Sequence, residues 1–128
     1  MELRFNATEI GCVEKDDALV CGASNSKSDE SYHYMTIQGW ADPDYPDDEH
    51  RPHFEIDDQI NGNYDLLVAC SVSRSHLTVE LSHGVSWYPD LRRVVVAIRS
   101  ATDAEFDSLV SGIRRVFHDR PEGFTVLP

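Results

Sequence analysis

The residues best suited to chemistry in this 128-residue chain gather between His50 and Asp58. His50-x-x-His53, followed by Glu55, Asp57 and Asp58, sets ligand-capable types close together. A zinc or other divalent-ion site needs such ligands to converge within about 2–2.3 Å of one point. On a strand, His53, Glu55 and Asp57 share one face, so convergence is strained and a solvated polar face is the better reading. Other catalytic patterns are weaker. There is no Gly-x-Ser-x-Gly elbow, and Ser75-His76 has no nearby acid to orient its imidazole. The glycines are scattered, without a Gly-Lys-Thr or Gly-Lys-Ser phosphate loop. None of the cysteines carries a nucleophile signature. No catalytic residue, metal or cofactor is assigned.

Charge is the strongest bulk signal. The net charge of −12 exceeds the magnitude of about 2–8 usual for a small soluble domain. It is also lopsided: residues 1–64 carry 15 acids against 4 bases, and residues 65–128 carry 8 against 7. Between Asp42 and Asp58 there are eight acids and one base, Arg51. Such a surface repels nucleic acid and anionic membranes and attracts a basic partner. The aromatics Tyr32, Tyr34 and Trp40, with Trp87 and Tyr88, suit a base-stacking platform by type. Their acidic surroundings disfavour it, so core packing or an aromatic anchor for a protein partner is the better reading.

The elements that must position these residues read mostly as strands. A first strand runs through Leu3, Phe5 and Ala7, with Ile10 to Val13 continuing it, and Glu14 to Asp17 form a polar turn. Ala18 to Ala23 is a buried second strand. Tyr32 to Trp40 is a third, with Tyr32, Tyr34, Thr36, Gln38 and Trp40 on one face and His33, Met35 and Ile37 on the other. Pro43, Pro46 and Pro52 exclude a regular element from 41 to 52, an expected exposed loop. A short strand then runs into a turn marked by Asn61-Gly62. Val68 to Ser73 and Leu77 to Ser82 alternate as a hairpin, and Leu91 to Ile98 reads as a strand covered on both faces. Thr102 and Glu105 have capping-box spacing ahead of an amphipathic helix bearing Phe106, Leu109, Ile113 and Phe117. Phe124 to Leu127 suits a final edge strand.

These elements predict one α+β domain, an antiparallel sheet of about six strands with the helix packed on one face. No apolar stretch approaches the roughly 18 residues needed to span a bilayer. The N-terminal residues lack a basic segment followed by an apolar run, so no secretory signal is expected. Cys12, Cys21 and Cys70 are odd in number, and two alternate in phase with buried residues. The expectation is reduced core cysteines in a cytoplasmic protein.

The stretch from His53 to Ser82 resembles the Immunity protein 10 family of bacterial polymorphic-toxin systems. Phe54-Glu55-Ile56-Asp57-Asp58-Gln59, with Asn61 and Tyr64, is similar to that family's aromatic-acidic strand ending in an Asp-Gln turn. Ser71 to Leu81 is similar to its hairpin, and Val94 to Phe117 agrees in type and order. The chain departs from the pattern at Ser75-His76 and in the more apolar Tyr64 to Ala69. The resemblance implies a non-enzymatic protein that neutralises a cognate toxin by binding it. The charge adds that this toxin is basic. The expected contact surface is Asp42, Asp44, Asp47, Asp48, Glu49, Asp57 and Asp58, with Trp40 and Tyr45 beside them. Two alternatives are a small metal-dependent hydrolase built on His50, His53 and Asp57, and a generic acidic adaptor that mimics nucleic acid.

Overall fold

The computed structural model describes residues 1–26, 31–41 and 52–128. Among these it has ten strands and one α-helix. In chain order the strands are β1 (Glu2–Asn6), β2 (Glu9–Lys15), β3 (Ala18–Ser24), β4 (Tyr34–Trp40), β5 (His53–Ile56), β6 (Asp58–Asn63), β7 (Leu67–Val72), β8 (His76–Leu81), β9 (Arg93–Ala97) and β10 (Phe124–Val126). The helix α1 spans Asp103–Val116.

The α+β class stands, but the single antiparallel sheet of about six strands does not. Two five-stranded sheets form, ordered β1-β9-β8-β7-β10 and β2-β3-β4-β5-β6. Two pairings, β1 with β9 and β10 with β7, are parallel. The chain changes sheets between β1 and β2, which therefore are not one continued strand. Ala7 N–H donates to the Ala97 carbonyl (2.9 Å) and Thr8 N–H to that of Ser24 (2.8 Å), so the two residues are held by different sheets. Alternation along a strand reports which face is buried, and says nothing about which sheet the strand joins.

Local chemistry explains most element ends. Asp16 and Asp17 both have positive φ (51° and 67°), the left-handed conformation a two-residue hairpin turn demands and aspartate tolerates. The Thr102 hydroxyl accepts from Glu105 N–H (3.1 Å), and the Glu105 carboxylate accepts from Thr102 N–H (2.8 Å). This reciprocal cap, with Asp103 and Glu105 first and Arg114 and Arg115 last, suits both ends of the helix dipole. The Ser73 hydroxyl accepts from the Ser75 and His76 amides and shapes the β7–β8 turn.

The helix lies against β2, β3 and β4, with its C-terminal end beside β10. Its Leu109, Ile113 and Val116, with Phe117, join Leu19, Met35, Ile37, Phe54 and Ile56 from the second sheet. Val72, Leu77, Val79, Val94 and Val96 from the first complete one buried cluster. Val94, Val95 and Val96 are all buried, so β9 is covered on both faces as expected.

The cysteines correct the expectation of three thiols. Cys12 and Cys21 face each other across β2 and β3 and form a disulfide, while Cys70 is free and buried. Gly112 seats the helix on that bridge, because a Cβ there would overlap both sulfurs. Burial pushes the Cys70 thiol up to about 12. Oxidised protein should therefore show one thiol, reactive only after denaturation, and three once reductant is added. Three thiols in denatured, unreduced protein would contradict the pairing.

Candidate functional site

The candidate site lies where β4 ends and β5 begins. Gln38 and Trp40 share the outer face of β4, and His53 shares the outer face of β5. With Tyr64, after β6, and His118, after α1, they line a cleft floored by Gly39 and Val116. A Cβ at Gly39 would stand 3.2 Å from Val116 Cγ1, so this glycine lets the helix close the floor. His53 meets Tyr64 edge to face at 4.9 Å between ring centres. Gly62 admits this packing, since a Cβ there would stand 3.0 Å from His53 Cε1. Burial lowers the His53 pKa, with Glu55 opposing it, so the imidazole is neutral near pH 7. Its buried Nδ1 has no hydrogen-bond partner among the described residues.

Beside the cleft, the edge strand β6 and the following loops expose large apolar groups. Ile60 is 61% exposed, Tyr64 58% and Trp87 52%. Trp87 is fixed there by its backbone amide, which donates to Asn61 Oδ1 (3.0 Å). Asn61 is itself 1% exposed, and its Nδ2 donates to the Ile56 carbonyl (2.9 Å). Asn61-Gly62 is thus not the turn its composition suggests but a buried strut inside β6. Three exposed apolar side chains thus stand near this edge, with a cleft walled by Trp and Tyr beside them.

The turn between β5 and β6 is made at Asp57, whose φ is 66°. It directs the side chain inward, where it is 4% exposed. His33 Nδ1 donates to Oδ2 at 2.8 Å, the Tyr88 hydroxyl donates to the same oxygen, and Tyr34 N–H donates to Oδ1 at 3.2 Å. The His33 ring stacks on Phe5 of the first sheet at 5.6 Å. Asp57 therefore ties β4, the β8–β9 connection and, through His33, β1 together.

This corrects two sequence expectations. Asp57 does not share an outer face with His53 and Glu55, because the positive φ turns it away. It is also not a surface acid open to a partner, since both its oxygens are occupied inside. The hydrolase alternative loses the Asp57 ligand for the same reason, and among the described residues no group of three or more His, Cys, Asp and Glu could hold a metal ion. Asp58 is exposed, its Oδ1 accepting from Ile60 N–H at 3.0 Å. Asp42, Asp44, Tyr45, Asp47, Asp48, Glu49 and His50 lie outside the described residues.

Sequence reasoning does not place His53, Tyr64, His118 or Ile60 on the contact surface, and reads Trp87 as core packing or an aromatic anchor without placing it there. Tyr64 lacked a signal because a break was expected at Asn61-Gly62, ahead of it. His118 comes from the far end of the helix, and no local spacing connects it to His53.

Two tyrosines are held protonated. Tyr34 is pushed well above its usual range by burial and by its hydroxyl donating to Glu55 (2.6 Å). Tyr88 is pushed up to about 12 by burial and the Asp57 carboxylate. Folding thus favours the neutral phenols, and their contribution is complete below about pH 10, where unfolded tyrosines titrate. It is lost as pH rises toward 12. Near-ultraviolet titration of the native protein should show these two phenols ionising late, together with unfolding. Ionisation of every tyrosine near pH 10 in folded protein would contradict it.

Comparison with protein-family models, curated protein sequences and solved structures returned no significant match. Among the described residues no helix is long and apolar enough to cross a membrane.

Proposed function

We propose that this chain is an immunity-type protein, which binds and neutralises a basic bacterial toxin and catalyses nothing itself. The observation that carries the reading is a juxtaposition along the chain. The stretch of chain between Trp40 and His53 carries five acids, Asp42, Asp44, Asp47, Asp48 and Glu49, against Arg51. Trp40 and His53 both line the aromatic cleft. Acid supplies long-range attraction to a basic partner, and the cleft with Ile60, Tyr64 and Trp87 supplies short-range apolar contact. The resemblance of His53 to Ser82 to the Immunity protein 10 family supports the same reading.

The proposed contact surface is therefore Asp42, Asp44, Tyr45, Asp47, Asp48, Glu49 and Asp58 with the cleft residues Trp40, His53 and Tyr64. Asp57 acts as a positioning residue beneath it. Action in the cytoplasm is part of the proposal. In that reducing compartment Cys12 and Cys21 would stand as thiols packed against Gly112. The test is to co-produce the chain with the basic product of the adjacent reading frame. A one-to-one complex and restored growth are expected; growth arrest without complex formation would overturn the proposal.

A further inference from the structure

At the edge of the second sheet opposite β6, β2 has a neighbour on one side only among the described residues. The two-residue turn at Asp16–Asp17 makes Lys15 and Ala18 a hydrogen-bonded pair, and pairs alternate from there. Val13 and Gly11 bond to β3, while Ile10, Cys12 and Glu14 direct their N–H and C=O groups to the open side. Among the described residues no backbone bond takes these groups up. Exposed edges of this kind accept another strand.

The outer face of β2 is unusual for such an edge. Val13 is 66% exposed, and Gly11 has open space where a Cβ would stand. Gly11 lies opposite Gly22 of β3, so the two glycines floor a groove between Val20 and Tyr34. Glu9 and Lys15 are exposed at the two ends of the strand, and neither has an ion-pair partner among the described residues.

We infer that β2 pairs with β2 of a second copy of this chain, antiparallel about a two-fold axis at Cys12. Only groups facing the open side can bond across the edge, and with the axis at Cys12 this rule is met by Cys12 pairing with Cys12 and Ile10 with Glu14. That register places Glu9 opposite Lys15 and Val13 opposite Gly11, each twice. The charges attract, and the exposed valine covers the space the glycine leaves. Moving the axis to residue 11 or 13 sets Glu9 against Val13 or Lys15 against Gly11 and loses both matches. The edge charges thus select one register and disfavour others. The dimer joins two five-stranded sheets into one and leaves each β6 edge at a far end, free for its own partner.

Sedimentation velocity on the full chain, from micromolar to millimolar concentration, tests this. The expected result is a reversible monomer–dimer equilibrium. Lys15→Glu or Glu9→Lys alone turns two attractions into repulsions and should weaken it about tenfold. The double exchange Glu9→Lys with Lys15→Glu should recover most of that loss. Glu14→Pro, which removes an open-side N–H and none bonded to β3, should leave the melting temperature near that of the parent and abolish the dimer. A chain that stays monomeric at every concentration, as expected if β2 instead receives a strand from a different protein, overturns the inference. So does a dimer that Glu14→Pro and the single charge reversals leave unchanged.

Discussion

Asp57→Ala should lower the stability of the fold by about 3–5 kcal/mol, the cost of removing one partner from a buried charged network. The carboxylate is nearly inaccessible and serves His33, Tyr88 and the Tyr34 amide at once. Truncation leaves those donors unsatisfied, at about 1–3 kcal/mol each where water cannot replace the acceptor. Alanine also tolerates φ near 66° poorly, adding roughly 1 kcal/mol. Asp57→Asn keeps the shape, one acceptor and the left-handed tolerance, so it should cost only about 1–3 kcal/mol. Urea unfolding of the two variants and of Tyr88→Phe measures the order. A loss under 1 kcal/mol for Asp57→Ala would mean the network does not hold β5 and β6 to β1 and β4.

How much of this was legible in the sequence depends on whether the cause was local. The α1 cap, the β7–β8 hairpin and the two faces of β4 follow from spacings of two to four residues, and all were readable. The Cys12–Cys21 bridge was nearly so. Once the turn is placed at Asp16–Asp17, pairing Lys15 with Ala18 sets Cys12 opposite Cys21 by counting. The division into two sheets was not legible, because it is set at Ala7–Thr8 by bonds to Ala97 and Ser24, distant in sequence. Asp57 was misplaced for a related reason. Its acidic neighbours suggested an exposed run, whereas its inward direction comes from partners 24 and 31 residues away. The cleft was legible only in part: Trp40 was named, but joining it to Tyr64 and His118 requires the fold.

The acidic segment should set the speed of partner binding. Steering by a concentrated charge raises association from about 10⁵–10⁶ to as much as 10⁸–10⁹ M⁻¹s⁻¹ at low salt. Asp44, Asp47, Asp48 and Glu49 are half of the eight acids between Asp42 and Asp58. Changing these four to Asn or Gln should slow association about tenfold or more at low salt. Mutually repelling acids contribute little to folding, so the melting temperature should not fall. Trp40→Ala should act differently, speeding dissociation by about 30-fold or more if the indole is an anchor worth 2 kcal/mol or above.

The most direct measurement is the association rate of the purified chain with the basic product of its adjacent reading frame, at low and at physiological salt. A fast rate that falls steeply with salt is expected for the parent, with a slower, flatter dependence in the four-fold neutralised variant. An unchanged on-rate and salt slope in that variant would contradict a steering role for the segment. No binding by the parent at either salt concentration would contradict the neutralising function itself.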